Sequence, residues 1–198
     1  MIIFKNFINE SPYQRFKEKY GEAIKSNQPN IEASVISSYC ELKNEVNSRF
    51  VNIKFLDGYK FIFFTNYDSP KAREFENHSQ ITSLFFWNKI NTQIRVKALI
   101  NKTSKKFNNL YFKNRSFEKN ALAISSSQSS AIDSYEKVKD NYNKSLKIGN
   151  LTECPEYWGG YSISPYYFEF WEGHDLRLNK REAYKKEGND WKHSYLQP

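Results

Sequence analysis

Residues 49–65, RFVNIKFLDGYKFIFFT, contain two runs of β-branched and aromatic residues on either side of Asp57 and Gly58. An Asp-Gly pair between two such runs is a strong short-range signal for a β-hairpin. This stretch therefore predicts strands over 49–55 and 59–65 that pair in an antiparallel sheet.

Similar runs predict further strands along the chain. They lie at 33–40, 81–87, 93–100, 157–163, 166–171 and 191–196. Ser164 and Pro165 separate two of these runs and predict a second hairpin. Seven or eight short antiparallel strands favour a small closed or partly open β-barrel, because closure removes the exposed edges of a sheet. The predicted class is mainly β with flanking helices.

Helical signals occur before the first of these runs and between later ones. Ser11, Pro12 and Gln14 combine an N-cap serine, a proline at the first helical position and a glutamine placed for a capping box. They predict a helix over 12–26, and its apolar side is formed by Tyr13, Phe16, Tyr20 and Ile24. Further helices are predicted over 70–77, 105–114 and 131–147. The serine-rich run 125–130 is short, so we expect an ordered loop whose hydroxyls cap the next helix.

The composition is typical of a globular protein, since aromatic residues make up 17% of the 198 residues. The chain is long enough to bury a core, and we expect one domain over residues 1–198. Its net charge of +8 is compatible with nucleic acid, anionic lipid or small anionic ligands. Nucleic acid is disfavoured, because the basic residues are spread along the chain and no recognised binding module is present.

Cysteine and histidine are few and scattered. Cys40 and Cys154 lie far apart, and neither they nor the three histidines have metal-ligand spacing, so no metal site is predicted. The N-terminus lacks a long apolar segment with a cleavage site, and no apolar run approaches the roughly 20 residues that span a membrane. We therefore expect a soluble cytoplasmic protein with no membrane partner.

Residues 169–181, EFWEGHDLRLNKR, carry the strongest chemical signal. Arg177 and Arg181 follow Trp171 closely, beside the end of a predicted strand. Guanidinium groups bind phosphate or carbonyl oxygens through paired donors, and an indole covers an apolar ring. The grouping suits a planar, negatively charged ligand such as a phosphorylated cofactor. A solvated basic turn is the alternative for an isolated pair of arginines.

Seven collinear segments together resemble the pyridoxine (pyridoxamine) 5′-phosphate oxidase family over about residues 33–198. They lie at 49–54, 64–71, 93, 111–115, 127–130, 158–160 and 169–181. The resemblance implies an antiparallel, Greek-key FMN-binding split β-barrel that forms a homodimer with FMN at the subunit interface. It also implies oxidation of pyridoxine or pyridoxamine 5′-phosphate to pyridoxal 5′-phosphate. Hydride would pass from the substrate C4′ to flavin N5, and O₂ would reoxidise the flavin with release of hydrogen peroxide.

The resemblance also implies the site residues. Those implied for the cofactor are Arg49, Phe50, Val51, Lys54, Phe64, Thr65, Lys71, Gln93, Gln128, Ser129, Trp171 and Arg181. Among these, Arg49, Lys71 and Ser129 would hold the FMN phosphate. Those implied for the substrate are Lys54, Tyr111, Arg115, Lys119, Arg177 and Asn179. Arg177 and Asn179 are the implied catalytic residues, which would close over the pyridine ring and hydrogen-bond a ring substituent.

Taken without the resemblance, three of these motifs have plainer interpretations. Trp158 with Gly159 and Gly160 predicts packing and a tight turn more than ligand contact. Tyr111 alone predicts a helix residue that faces the core, and Lys54 a solvated strand end. The resemblance reverses the last two interpretations and assigns both residues to the substrate phosphate.

Departures from the family pattern concern the substrate. Asn179 stands where the family has histidine, and asparagine cannot take up a proton near pH 7. Lys119 replaces an expected serine, Pro70 replaces a basic residue beside Lys71, and the segment before the first helix is short. The chain is therefore expected to be a divergent member. Two alternatives stay open: an FMN oxidoreductase of the same family with another substrate, such as the phenazine-biosynthesis type, or a non-catalytic flavin-binding protein.

Overall fold

The computed structural model describes residues 1–148 and 150–198, which form a ten-stranded sheet flanked by helices. Strands β1 to β10 span Ile3–Lys5, Ala33–Cys40, Glu45–Asn52, Phe55–Asp57, Lys60–Asn66, Gln80–Trp87, Thr92–Lys102, Trp158–Glu172, Lys180–Glu187 and Asp190–Tyr195. Helices α1 to α5 span Ser11–Lys25, Pro70–Asn77, Lys105–Lys113, Phe117–Ser125 and Tyr135–Ile148. A short 3-10 helix covers Asn88–Ile90. No helix in the described ranges is both long and apolar enough to cross a membrane.

Strand β8 organises the sheet. The strand order is β1-β4-β5-β8-β7-β6-β2-β3, and β9 and β10 extend from β8. One edge of β8 pairs with β7 along most of its length, whereas its other edge pairs first with β5 and then with β9. Every pairing is antiparallel except that of β1 with β4. The sheet therefore divides at β8 into two arms.

The hairpin predicted at Asp57 and Gly58 is present, but its first arm is shorter than expected. Only β4, of three residues, pairs with β5 across this turn. Residues 49–52 belong to β3, which pairs with β2 instead. Between them, the N–H of Ile53 donates to the Glu32 carbonyl at 2.9 Å and that of Lys54 to the Ile62 carbonyl at 2.7 Å. The chain thus changes partner at Ile53, which a propensity pattern over 49–55 does not reveal.

The second predicted hairpin, at Ser164 and Pro165, is wrong. Residues 158–172 form one continuous strand, β8, with an irregular register opposite Lys97 and Ala98. Pro165 has no N–H to donate, which normally excludes it from a strand interior. Here it lies between the residues paired with β5 and those paired with β9, so no ladder hydrogen bond is lost on that edge.

Helix α1 packs the aromatic core against the sheet. Tyr13, Phe16 and Tyr20 are buried as predicted, and the Phe16 ring contacts Phe61 with 4.9 Å between ring centroids. The fourth position differs, because Ala23 is buried and Ile24 is 45% exposed. The predicted capping is also wrong: Glu10 is the N-cap, and no side chain caps the helix.

The segment between β7 and β8 contains more helix than the sequence predicted. Helix α4 was not predicted, and α5 begins at Tyr135 instead of 131. The run 126–130 is a loop, but its hydroxyls do not cap α5. Ser134 does so, because its Oγ accepts the N–H of Lys137 at 3.2 Å.

Strand β9 was also missed, since its sequence KREAYKKE lacks β-prone residues on its exposed side. The strand forms because its Ala183 and Tyr184 are buried against the sheet. Gly159 and Gly160 lie inside β8 rather than in the predicted tight turn. A Cβ at Gly159 would lie 2.2 Å from the Tyr67 hydroxyl, so the glycine permits close packing there.

Candidate active site

An open cleft of about 620 Å³ lies where β3, β5, α3 and α4 approach one another. Ten predicted site residues line it: Phe50, Val51, Lys54, Phe64, Thr65, Lys71, Tyr111, Arg115, Lys119 and Gln128. Cofactor pockets in proteins commonly occupy 300–1,000 Å³, so the cleft can hold a ligand of that size. Residues that are distant in sequence therefore meet in one place.

Lys71 forms one cationic centre of the cleft. It is 8% exposed, and its ammonium donates to Thr65 Oγ1 at 2.9 Å, Ser69 Oγ at 3.0 Å and Gln128 Oε1 at 3.0 Å. Burial and the nearby charge of Arg49 lower the pKa of Lys71 to about 8. A cation that is held by neutral oxygens is ready to receive an anion.

Arg49 lies on β3 beside this centre but does not line the cleft. Its guanidinium forms an ion pair with Glu74 at 2.9 Å and also bonds Ser38. Glu74 is buried and accepts a further hydrogen bond from Asn47 at 3.0 Å. Arg49 is therefore fixed by a carboxylate from α2 while it adds positive potential near Lys71.

Lys54, Arg115 and Lys119 form the second cationic centre. Burial lowers the pKa of Lys54, and the charges of Lys119 and Arg115 lower it further. Burial likewise lowers the pKa of Arg115, whose Nη1 is buried without a hydrogen-bond partner. A half-buried lysine whose charge is disfavoured by two neighbouring cations indicates a site for a negatively charged group.

An aromatic wall adjoins the second centre. Tyr111 stacks on Phe64 with 3.7 Å between ring centroids, and Phe64 stacks on Trp158 at 5.2 Å. The Arg115 guanidinium lies over the Trp158 ring at 4.5 Å. The indole therefore orients a cation of the cleft. Taken without the resemblance, the sequence assigned Trp158 to packing, and the signal for the site was its place in the collinear segment 158–160.

Within the part of the chain that the structure describes, acidic residues act on the cleft charges only from a distance, Glu32 on Lys54 and Glu74 on Lys71. Among the described residues, no Asp or Glu forms an ion pair with Lys54, Lys71, Arg115 or Lys119. Two separate cationic centres beside an aromatic wall fit two phosphate groups and a planar ring system. The residues present thus suit a phosphorylated flavin together with a second phosphorylated ligand.

Gln93, Trp171 and Arg181 form a separate group. They are directly paired neighbours on β7, β8 and β9. Arg181 donates to Glu169 through Nε at 3.2 Å and Nη2 at 2.9 Å, and through Nη1 to the Gln197 carbonyl at 2.8 Å. This row does not line the cleft of its own chain.

Arg177 and Asn179 lie in the loop 173–179, which connects β8 to β9. Arg177 has a positive φ of 63°, and its N–H donates to the His174 carbonyl at 2.9 Å. Asn179 Oδ1 accepts the N–H of His174 at 3.0 Å. Asn179 thus stabilises the loop through its carbonyl oxygen, and its side-chain amide remains a donor. Neither residue lines the cleft of its own chain.

Ser129 is the remaining predicted cofactor residue. It has a positive φ of 68° and lines a different cavity of about 330 Å³ with residues of the 125–132 segment and α5. Its neighbour Gln128 does reach the cleft, where its Oε1 accepts a hydrogen bond from the Lys71 ammonium. The structure therefore brings Gln128 to Lys71 but not Ser129.

Known proteins resemble this chain over nearly its whole length. A pyridoxine/pyridoxamine 5′-phosphate oxidase of Rhodopirellula baltica is 31% identical, with 99% of this chain and 91% of the relative covered. The chain belongs to the pyridoxine/pyridoxamine 5′-phosphate oxidase family. The enzyme of the same name from Herminiimonas arsenicoxydans is 34% identical over 94% of this chain and 89% of its own. Residues 158–198 match the family described as the pyridoxine 5′-phosphate oxidase C-terminal dimerisation region.

Solved structures confirm the fold class. PhzG of Burkholderia lata, crystallised with tetrahydrophenazine-1-carboxylic acid, aligns with a TM-score of 0.89 at 25% identity. The alignment covers 96% of this chain and 93% of that protein. A pyridoxamine 5′-phosphate oxidase-related FMN-binding protein of Nostoc punctiforme aligns with a TM-score of 0.80 at 11% identity, over 96% and 100% of the two chains. The mainly β split barrel predicted from the sequence is thereby confirmed.

Proposed function

We propose that this protein is an FMN-dependent oxidase that converts pyridoxine or pyridoxamine 5′-phosphate to pyridoxal 5′-phosphate. The observation that carries the proposal is the cleft with two cationic centres, Lys71 in one and Lys54, Arg115 and Lys119 in the other. Cofactor and substrate each bear a phosphate, so the reaction needs two anion sites in one cleft. Membership of the oxidase family supports the same reaction.

Each of the two cationic centres binds one phosphate group. Lys71, with Arg49 nearby, holds the FMN phosphate, and Gln128 contacts the cofactor. Lys54, Arg115 and Lys119 bind the substrate phosphate, and the Tyr111 hydroxyl adds a donor. FMN, when bound, supplies the electron acceptor for oxidation of the substrate. The protein contributes binding and orientation, which are worth about 7–11 kcal/mol in well-oriented model reactions.

The proposal includes a homodimer in which each site uses both copies. Gln93, Trp171, Arg177, Asn179 and Arg181 do not line the cleft of their own chain, and the last four lie within the matched dimerisation region. A second copy can present this group to the cleft. Trp171 and Arg181 would then contact the flavin of the partner, while Arg177 and Asn179 would contact its substrate.

Anaerobic titration of the FMN-loaded protein with pyridoxine 5′-phosphate tests the function. The proposed oxidase should lose flavin absorbance near 450 nm as substrate is added and regain it when O₂ is admitted. A flavin spectrum that is unchanged by both the alcohol and the amine substrate would rule out the proposed reaction. A protein that fails to bind FMN would rule out the cofactor as well.

FMN affinity should fall as the pH rises above about 8. The ligand-free protein loses the charge of Lys71 above this pH, because burial lowers its pKa from 10.5 to about 8. Binding of the phosphate dianion then requires proton uptake, so affinity falls by up to about tenfold per pH unit. Fluorescence titration of FMN between about pH 7 and pH 10 measures this slope. A flat profile would show that Lys71 does not contact the phosphate.

Folding stability has the opposite dependence in the ligand-free protein. Between about pH 8 and pH 10.5, the unfolded chain binds the Lys71 proton more than the folded chain does. Stability therefore rises with pH through this window as far as Lys71 contributes. The ligand-free protein is thus the control that separates a loss of FMN binding from a loss of structure.

Arg177→Ala should lower turnover much more than FMN affinity. The side chain lies on an exposed loop, where it is assigned to the substrate ring, and the variant removes a guanidinium from the reacting ligand. We expect kcat to fall by about tenfold or more, since misplaced substrates react slowly. Stopped-flow reduction and FMN titration measure the two quantities separately. Equal losses in both would contradict the assignment.

Mixing two defective variants tests the shared site. A copy with Arg177→Ala keeps Lys71 in its cleft, and a copy with Lys71→Met keeps Arg177 in its loop 173–179. If each site combines one cleft with the partner's loop, random mixed dimers regain about a quarter of wild-type activity. No recovery, with exchange of subunits verified by mass, would place both residues in the same copy.

One observation, the hydrogen bonding of Asn179, favours a different substrate from pyridoxine or pyridoxamine 5′-phosphate. Its carbonyl oxygen is occupied within the loop, and its amide cannot exchange a proton. Asparagine at this position therefore favours a family member that acts on another cyclic anion. Repeating the anaerobic titration with tetrahydrophenazine-1-carboxylic acid, the ligand of the Burkholderia lata protein, distinguishes the two substrates.

A further inference from the structure

Helix α1 forms an ionic cluster with the strands that flank the loop 173–179. Arg15 Nη2 lies 2.7 Å from Glu172 Oε1, and its Nε lies 2.9 Å from Glu182 Oε2. Lys19 Nζ lies 2.7 Å from the other oxygen of Glu172. Lys180 lies 3.1 Å from Glu182. One helix therefore holds the last residue of β8 and an early residue of β9.

The cluster is sheltered from solvent. The side chains of Lys19, Glu182 and Arg15 are 7%, 9% and 18% exposed. Removing one partner from a sheltered pair leaves an uncompensated charge, which costs more than the loss of an exposed pair. Glu18, by contrast, is 62% exposed and lies 3.3 Å from Arg15. The contacts to Glu172 and Glu182 are thus the important ones.

The loop depends on these two strands for its position. Its internal hydrogen bonds involve His174, Leu176, Arg177 and Asn179. Gly173 donates to the Asn91 carbonyl at 2.9 Å. Among the described residues, no hydrogen bond or ion pair joins positions 174–179 to another element. The loop is therefore ordered internally but anchored only at its ends.

The geometry also separates the two faces of the strands. Successive side chains of a strand point to opposite faces. Glu172 and Glu182 reach α1, so their predecessors Trp171 and Arg181 point away from it. Arg181 is held on that other face by Glu169. Loss of the Arg15 contacts should therefore affect the loop more than the row that contains Arg181.

We propose that Arg15 is a positioning residue that holds the base of the loop 173–179, so that Arg177 and Asn179 are presented to the substrate. Arg15 lies 157 residues before Glu172, and within the described residues none of its side-chain hydrogen bonds reaches a residue that lines the cleft. The inference rests on the proposed function for its kinetic consequence. Its structural consequence, a loop fixed by α1, does not depend on the substrate or the cofactor.

Arg15→Met tests the proposal because methionine keeps the length and helix propensity of the side chain without its charge. Hydrogen exchange of the full chain should accelerate in residues 173–179 while residues 33–40 of β2 keep the wild-type rate. In the FMN-loaded protein, kcat should fall by about 10- to 100-fold, as for a misplaced contact residue. The Kd for FMN should stay close to the wild-type value.

Two further variants serve as controls. Glu18→Gln removes the exposed partner of Arg15 and should leave exchange and kcat unchanged. Arg15→Lys retains a charge but reaches only one carboxylate, so its kcat should lie between those of the wild type and Arg15→Met. Should Arg15→Met fail to fold, Glu182→Gln breaks the same contact from β9 and is measured instead.

Two results would overturn the proposal. The first is wild-type exchange in residues 173–179 for both Arg15→Met and Glu182→Gln. The second is an accelerated loop with unchanged kcat at a temperature well below both melting points. If the wild type shows no flavin reduction, the proposed function fails, but the exchange experiment still decides whether Arg15 fixes the loop.

Discussion

Arg115→Met is expected to weaken the binding of pyridoxine 5′-phosphate by about 10- to 100-fold, since hydrogen bonds to charged groups contribute about 1.5–3 kcal/mol. Arg115 is half-buried over Trp158, and its Nη1 has no partner in the chain. A phosphate would provide this partner. The variant loses both the charge and the paired donors, whereas Lys54 and Lys119 remain.

Equilibrium titration of the reduced, FMN-loaded protein measures this effect without turnover. Unphosphorylated pyridoxine is the matched ligand, and its weak affinity should be the same in the variant and the wild type. Lys113→Met, an exposed change at the end of α3 and two residues before Arg115, is the matched protein control. If the variant weakens the phosphorylated and unphosphorylated ligands equally, Arg115 does not bind the phosphate.

Lys71→Met is expected to lower the affinity for FMN by about 100-fold. The ammonium is almost fully buried, and among the charged residues that line the cleft it is the one that bonds Thr65 and Gln128. A phosphate placed there without a cation would lose a charge-assisted hydrogen bond in a sheltered site, where such bonds are strongest. Thr65 lines the cleft with a hydroxyl but carries no charge.

Quenching of FMN fluorescence measures this affinity, and riboflavin provides the comparison. Lys71→Met should bind riboflavin as the wild type does, because riboflavin lacks the phosphate. Lys106→Met, an exposed lysine on α3, should bind FMN normally. A variant that binds FMN and riboflavin with unchanged affinities would remove Lys71 from the phosphate site.

Local sequence patterns predicted most strands, but they failed where tertiary contacts determine whether a strand forms and which strand it pairs with. Pro165 is a strong strand breaker in a pattern, yet β8 continues through it because its neighbour on one edge changes there. The pattern over 49–55 is uniformly β-prone, so nothing in it marks the change of partner at Ile53. Strand β9 is highly charged and becomes a strand only because Ala183 and Tyr184 are buried against neighbouring strands.

The candidate site was predictable mainly through collinear motifs. Lys54, Lys71, Arg115 and Gln128 lie in different parts of the chain, and no periodicity relates them. The resemblance grouped them, and the structure places all four in one cleft. The roles of the residues remain predictions. Ionic partners such as Arg15 and Glu182 were not predicted, because many lysines, arginines and glutamates offer equivalent choices in the sequence.

The contacts of α1 have a consequence for synthesis of the chain. Arg15 meets Glu182, which is 167 residues later, and Trp191 bonds Glu10 across 181 residues. At about 5–20 residues per second, a ribosome needs on the order of ten seconds to deliver these partners. During that time Tyr13 of α1 lacks its ring contacts with Phe168 of β8 and Trp191 of β10. We therefore expect a nascent chain that stalls before residue 172 to bind chaperones, although the residues of its first helix have already been synthesised.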